Sequence, residues 1–318
     1  MKYLDFFGKR LARIALGCDH YGASISEQTA MQQLDIYYQK GGNLLDTALI
    51  YGQEKTGGPS TSEQVLGKWL RTNNLHGKVI VASKGCHPYK EDMHHSRINE
   101  KDMMLDISRS LDQLKTDCLD IWFFHRDNPS MGGDEIIDLA SLLIDKKLVK
   151  HLGVSNWRTE RIEAANVWAK AHGKTPFTIS EIQWSLAHCT PETWGDDTLV
   201  CMTEEQRLWY EKEQMPVMCF APQAKGLFSK LLSGREAALS KTAKRRFLTK
   251  ENLALAPKVQ ALGEQLQASP AAITMAYLTS QRNPTIAIAG SSRIEQITET
   301  LGGADLTLTD QDLAFLQS

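Results

Sequence analysis

The chain has 318 residues, of which 42% are hydrophobic and 23% charged, with a formal net charge of −2 at pH 7. This is the composition of a folded globular protein, and it gives no reason to expect a nucleic-acid partner or an anionic membrane. We see no long apolar run of the kind found in signal or membrane segments, and the six cysteines have no C-x-x-C spacing. We therefore expect a cytoplasmic protein with reduced thiols.

Short apolar runs alternate with longer amphipathic stretches along the whole chain. Each run is short enough to be a strand buried on both faces, as the strands of parallel sheets are. The eight runs cover 13–17, 43–46, 79–83, 120–125, 152–155, 178–183, 216–220 and 285–289. The pattern predicts eight parallel strands.

Helix signals lie between the runs. Asn99 is expected to cap a helix, the stretch Arg158–Lys170 is expected to form another, and Ser269-Pro270 has the form of an N-cap followed by proline. Thr309 with Asp312 predicts the cap of a last helix. The residues before Arg13 are expected to form a hairpin that closes the bottom of the fold.

Eight strands alternating with helices leave two architectures, a closed barrel or a large open sheet. The first turn, at 17–22, lacks the G-x-G-x-x-G of a dinucleotide-binding open sheet. We predict an α/β protein in which residues 1–318 form one (β/α)8 TIM barrel domain, with its active site at the C-terminal face of the strands. Long loops are expected at about 85–98 and 224–252, where they could act as lids or binding loops.

Four titratable residues stand at or just after the ends of successive predicted strands: Asp46, Tyr51, Lys84 and His125. Singly, each has an ordinary structural explanation, such as a strand-end cap or a packed aromatic ring. Together they form a proton-transfer set, because an ammonium can stabilise a tyrosinate and lower the tyrosine pKa. Asp46 would hold Lys84 in place, and His125 would orient a carbonyl oxygen or pass the proton.

The segment D-T-A-L-I-Y-G at 46–52 resembles the D-T-A-x-x-Y-G motif of the aldo-keto reductases. Ser83-Lys84 and the strand of His125 match the other members of that family's tetrad, in order, and G-V-S-N at 153–156 resembles its G-[VIL]-S-N turn. The resemblance runs from about Leu11 to Leu301. It implies a barrel that reduces carbonyl compounds with a nicotinamide cofactor, with Asp46, Tyr51, Lys84 and His125 as catalytic residues.

The resemblance also implies the cofactor contacts. Ser155, Asn156 and Gln183 would bind the carboxamide, Phe220 would stack on the nicotinamide ring, and residues from Gly290 onward would hold the adenosine phosphate. The full expected set is Gly17, Asp46, Ser155, Asn156, Gln183, Phe220, Ala221, Pro222, Gln223, Lys225, Gly226, Gly290, Ser291, Ser292, Arg293, Gln296 and Thr300.

The chain departs from the family pattern at several of these positions. F-A-P-Q at 220–223 stands where many members have Tyr-Ser-Pro-Leu, and Gly290 and Gln296 stand where several have Lys and Arg. Thr300 replaces a common Asn. Arg293 is the remaining obvious cation for a 2′-phosphate, so we expect NADP(H) rather than NAD(H).

The substrate is expected to be a small carbonyl compound, aromatic or medium-sized and apolar, in a pocket walled by Tyr21, His87, Trp157 and Trp194. His87, His94 and His95 do not make a convincing metal site, and no metal is expected. The leading hypothesis is an NADPH-dependent reductase, monomeric or a weak homo-oligomer. The alternatives are a cofactor-binding regulatory module with little turnover and a metal-dependent barrel hydrolase.

Overall fold

The computed structural model describes residues 1–53 and 58–317. It begins with an antiparallel hairpin of β1 (Tyr3–Phe6) and β2 (Lys9–Ala12). The two connecting residues, Phe7 and Gly8, both have positive φ, as a tight two-residue hairpin turn requires. The expected hairpin is confirmed, whereas its place at the bottom of the barrel stays a prediction.

Eight further strands form a closed barrel in the order β10-β3-β4-β5-β6-β7-β8-β9. Neighbouring strands are parallel, with Gly17 opposite Asp46 and Gly85 opposite Phe124 among the paired residues. The strands are β3 (Ile14–Gly17), β4 (Leu44–Asp46), β5 (Ile80–Gly85), β6 (Leu119–Phe124), β7 (Val149–Ser155), β8 (Ile179–Gln183), β9 (Val217–Phe220) and β10 (Thr285–Ala289). The predicted (β/α)8 barrel is confirmed, and each predicted run overlaps one strand.

The helices are α1 (Glu27–Gln39), α2 (Thr61–Thr72), α3 (Glu100–Leu114), α4 (Gly133–Asp145), α5 (Thr159–Ala171), α6 (Pro191–Trp194), α7 (Glu204–Glu213), α8 (Leu227–Leu232), α9 (Lys241–Phe247), α10 (Lys250–Leu266), α11 (Pro270–Thr279), α12 (Ile294–Gly302) and α13 (Asp310–Gln317). The predicted caps at Asn99 and Ser269 accept hydrogen bonds from the backbone of α3 and α11. Thr309 and Asp312 bond each other at the start of α13.

The segment 224–252 is not a long loop. It contains two short 3₁₀ turns, Ala224–Gly226 and Glu236–Ala238, together with α8, α9 and the start of α10. Ser240 and Thr249 cap α9 and α10 through their side chains, which explains where each begins. The expectation of a loop here was wrong. The segment 86–98 contains no helix or strand and is a loop as predicted.

The described chain packs as two compact units. One consists of 16–39 and 43–181, and its core includes Trp69, Trp122 and Phe123; the other consists of 1–15, 40–42 and 182–318. The expectation of a single domain over 1–318 stays a prediction. None of the helices in the described part of the chain is long and apolar enough to cross a membrane.

Candidate active site

The ammonium of Lys84 is the centre of the site. Lys84 lies near the end of β5 and has no exposed surface, and its Nζ donates hydrogen bonds to Asp46 Oδ1 and to Thr47 O, the latter at 3.0 Å. Nζ also lies 3.4 Å from Tyr51 Oη. Asp46 ends β4 and Tyr51 follows five residues later. The end of β4 and the turn after it therefore place both residues next to Lys84.

His125 lies beside Tyr51 at the end of β6. Their rings are 5.9 Å apart at 78°, and the His87 ring contacts His125 from another side at 4.6 Å. Burial, followed by the charges of His87, Arg126 and Lys84, holds the His125 pKa well below its usual range. The imidazole is therefore neutral at pH 7. Its Nδ1 has no hydrogen-bond partner among the described residues.

The charges of the site favour a protonated lysine. Burial alone lowers the pKa of Lys84, but Asp46, Glu181 and Tyr51 outweigh it and raise the pKa well above its ordinary value. Burial likewise holds the Tyr51 pKa above its usual range, with Lys84 opposing. The expectation that Lys84 lowers the tyrosine pKa was therefore right about the direction of its influence and wrong about the net result, because burial of the phenol is the larger effect.

Sequence reasoning missed Glu181. This residue lies in β8, is 3% exposed, and places its Oε2 3.3 Å from Lys84 Nζ. This oxygen is buried and has no hydrogen-bond partner among the described residues. A signal was available, because Glu181 stands in a run that reads as a strand buried on both faces, and a glutamate there needs a polar partner.

Ser60, the N-cap of α2, fixes the turn that carries Tyr51. Its Oγ donates to Tyr51 O at 2.7 Å and to Ala48 O at 3.1 Å, and accepts from Glu63 N. Glu63 in turn accepts a hydrogen bond from Ser83 Oγ at 2.5 Å. Because Ser83 precedes Lys84, this buried network holds both the tyrosine turn and the lysine strand.

Gly52 allows the same turn to approach α2. It has φ +70°, and a Cβ on it would lie 1.9 Å from Thr61 Oγ1, which itself donates to Tyr21 O at 2.7 Å. A side chain at this position would collide and strain the backbone. The glycine of the D-T-A-L-I-Y-G segment therefore has a steric role.

The first unit, 16–39 and 43–181, contains Asp46 and three more of the expected cofactor residues. Gly17 pairs with Asp46 across β3 and β4. Ser155 ends β7, and Asn156, at φ +61°, donates its backbone N–H to Glu181 O at 2.8 Å. The Asn156 side chain donates to Ser155 Oγ at 3.0 Å.

Two of the expected pocket walls in this unit are internal. Tyr21 is 1% exposed and donates its hydroxyl to Gln33 Oε1, while Trp157 has no exposed surface and packs against Phe177. A substrate cannot touch side chains that solvent does not reach, so the pocket expectation was wrong for both. His87 is partly exposed and keeps its place beside His125.

In the second unit, 1–15, 40–42 and 182–318, Phe220 ends β9 and is partly exposed. The Trp194 ring packs edge-on against it at 5.5 Å, and the Arg246 guanidinium lies 3.8 Å from the Trp194 ring centroid. These aromatic and cationic groups form one cluster. Gln183 is buried and donates to Ser185 Oγ at 3.1 Å.

The remaining expected cofactor residues of this unit lie in two turns. After β9, Ala221, Lys225 and Gly226 have positive φ, Pro222 is buried, and Gln223 donates to Thr300 Oγ1 at 3.2 Å. At the start of α12, Gly290, Ser292 and Arg293 are exposed, and Ser291 Oγ donates to Gln296 Oε1 at 3.0 Å.

Thr300 is buried and already bonded to Gln223, whereas the Arg293 side chain is exposed at the N-terminus of a helix. A helix N-terminus disfavours a cation unless an anion binds there. Across the described residues, no group of three or more His, Cys, Asp or Glu side chains is arranged to hold a metal ion.

The sequence model of the Aldo/keto reductase family matches residues 13–318. The chain belongs to the aldo-keto reductase family. As a member of that family it is an oxidoreductase acting on carbonyl compounds or alcohols with a nicotinamide cofactor.

This aldo-keto reductase is 24% identical to a probable aryl-alcohol dehydrogenase of Saccharomyces cerevisiae, over 93% of the chain and 88% of the relative. It is 25% identical to an aryl-alcohol dehydrogenase [NADP(+)] of Phanerodontia chrysosporium, over 93% of the chain and 77% of the relative. Among solved structures, a thermostable aldo-keto reductase in complex with the inhibitor epalrestat superposes with a TM-score of 0.73 at 18% identity, over 99% of this chain and 98% of that chain. That likeness shows the fold.

Proposed function

We propose that this aldo-keto reductase reduces aldehydes or ketones to alcohols with NADPH, and that Tyr51 is the general acid. The observation that carries the proposal is the fully buried Lys84 ammonium, which contacts Asp46 and lies 3.4 Å from Tyr51 Oη. A cation held this way stabilises negative charge on the phenol oxygen at the moment the proton leaves.

When bound, NADPH supplies a hydride to the carbonyl carbon. The oxygen then becomes strongly basic, and Tyr51 donates its proton to it. Burial keeps the Tyr51 phenol protonated, and Lys84 opposes the rise in its pKa, so the proton can leave once the strongly basic oxygen forms. Lys84 stabilises the tyrosinate, Asp46 keeps Lys84 charged and oriented, and the neutral His125 imidazole can donate a hydrogen bond to the carbonyl oxygen.

We propose NADPH rather than NADH. Arg293 supports this choice, because its exposed guanidinium at the start of α12 suits a 2′-phosphate. The partly exposed Phe220 ring suits stacking on a nicotinamide. Ser155, Asn156 and Gln183 would hold the carboxamide. The relative from Phanerodontia chrysosporium is named for NADP(+), which agrees.

The proposed substrates are aromatic or medium-sized apolar carbonyl compounds. Two curated relatives are named aryl-alcohol dehydrogenases, and Trp194 and Phe220 supply a partly exposed aromatic cluster. A panel of aromatic, aliphatic and sugar aldehydes tests this, and a preference for sugars would contradict it. The near-neutral charge and six free cysteines support a cytoplasmic enzyme, proposed to be a monomer or a weak homo-oligomer.

The mechanism is tested by Tyr51→Phe, followed by NADPH oxidation with a reactive aromatic aldehyde. We expect kcat to fall by about 10²- to 10⁴-fold, the usual contribution of a general acid, with NADPH binding retained. Tyr38→Phe is the matched control, since Tyr38 is 40% exposed. Undiminished turnover in Tyr51→Phe would refute the role. Saturable NADPH binding by the wild type with no reduction of any carbonyl would favour a regulatory module instead.

A further inference from the structure

A second buried carboxyl group, that of Glu181, faces the same lysine as Asp46. Glu181 is 3% exposed and Asp46 is 4% exposed, and both contact Lys84 Nζ. Two carboxylates beside one ammonium would leave an excess negative charge in a buried place, which is strongly unfavourable.

A proton on one of the two carboxyl groups resolves this excess. Glu181 Oε2 lies 3.3 Å from Lys84 Nζ and has no hydrogen-bond partner among the described residues. A buried carboxylate oxygen without a hydrogen bond is unfavourable, so burial favours protonation of one member of the pair. The pair therefore shares one proton, and with Lys84 it forms a cluster of zero net charge.

We propose that Glu181 is a positioning residue of the reaction: its shared proton keeps the Asp46–Lys84 pair neutral, so that Lys84 can accommodate the negative charge that forms on Tyr51. This rests on the proposed function. Loss of the proton would add a negative charge to the cluster and oppose tyrosinate formation. The reductase would then lose activity as that proton dissociates.

The groups facing Glu181 agree with this assignment. Burial and the charge of Asp46 raise the Glu181 pKa to about 8, while Lys84 acts in the opposite direction. The ionised Glu181, together with Asp46 and Asp19, raises the pKa of Tyr51, which is the expected effect of added negative charge. His125 is neutral throughout this pH range, because its pKa lies well below its usual value.

The test is the pH profile of kcat in Glu181→Gln, which mimics the protonated side chain at every pH. With saturating NADPH and an aromatic aldehyde, wild-type kcat should fall about 30-fold between pH 6.5 and 9.5, the loss of protonated form expected for a group of pKa near 8. Tyr51 titrates well above this range and cannot produce that fall. Glu181→Gln should match the wild type at pH 6.5 to within a few-fold and stay level to pH 9.5.

Glu160→Gln serves as the matched control, because Glu160 is exposed on α5 and should keep the wild-type profile. An alkaline fall that persists in Glu181→Gln would overturn the proposal. A uniform loss of kcat at all pH values would also overturn it, since a merely structural role predicts that result.

Infrared spectroscopy separates this proposal from the proposed function. Between pH 6.5 and 9.5 the wild type should lose protonated-carboxyl absorption from two buried groups, Glu63 and the Glu181–Asp46 pair, whereas Glu181→Gln should lose only the part that belongs to Glu63. This measurement needs no turnover, so it applies even if no carbonyl is reduced. Equal losses in the wild type and Glu181→Gln would overturn the shared proton. A wild type that shows the larger loss but reduces nothing would contradict the proposed function alone.

Discussion

Glu63 should make the stability of the protein depend on pH. It lies in the first turn of α2 with no exposed surface, and burial raises its pKa from 4.5 to about 7. The folded protein therefore keeps a proton that the unfolded chain releases. The contribution of Glu63 to the free energy of unfolding is fully present below about pH 4.5 and is lost as the pH rises through about 7. Between pH 5 and 8 the loss amounts to about 2 to 3 kcal/mol.

Glu63→Gln removes this titration, because an amide stays neutral. Its Oε1 can still accept from Ser83, but its new NH₂ would face the Gln113 Nε2 that donates to Glu63 Oε2 at 3.3 Å. That clash of donors should cost about 1 kcal/mol at every pH. The informative quantity is therefore the change of the free energy of unfolding with pH, not its value at any one pH.

Urea unfolding at pH 5, 6.5 and 8 measures this change of stability with pH. The free energy of unfolding of the wild type should fall by about 2 to 3 kcal/mol more than that of Glu63→Gln over this range. Any contribution from Glu181 is common to both proteins and cancels in the difference. Glu160→Gln, altered on the surface, should follow the wild type. Parallel curves for the wild type and Glu63→Gln would refute the reasoning.

Three further substitutions test the cofactor choice and the packing of the helices. In steady-state assays, Arg293→Ala should raise KM for NADPH by about tenfold or more, because a charge-assisted contact is lost, and should leave KM for NADH nearly unchanged. Equal effects on both cofactors would exclude a 2′-phosphate contact. Gly67→Ala should lower the free energy of unfolding by about 1–3 kcal/mol, because its Cβ would lie 2.2 Å from the Gln113 backbone oxygen on α3. Gly302→Ala, with nothing within 4 Å, should raise it by about 0.5–1 kcal/mol in the same unfolding assay, and equal losses in both variants would contradict the steric explanation.

The barrel could be predicted from the sequence because its strands are buried on both faces and therefore read as continuous apolar runs. Asp46, Lys84 and His125 could be placed for the same reason, since each stands at the end of such a run. Once the strand ends are known, the contacts of Lys84 with Asp46 and Tyr51 follow from barrel geometry.

Other features depend on tertiary packing that no local pattern reports. α8 and α9 are only 6 and 7 residues long, too short for a periodic apolar pattern to stand out. The net rise in the Tyr51 pKa depends on how completely the fold buries the phenol. Trp157 lies in a predicted loop after a strand, yet it turns inward against Phe177.

The contacts described for Lys84 all end within residues 43–181, while Trp194, Phe220 and Arg246 belong to the second unit. In the proposed function, the residues that move the proton and the aromatic residues that would meet the substrate are therefore encoded in separate stretches of the gene. Under that proposal, mutations in 184–219 could change which compound is accepted without altering a proton-transfer residue or the proposed cofactor contacts at 220–226. A lineage carrying this chain could then acquire new substrates by altering 184–219, and a protein engineer could confine a randomised library to those residues.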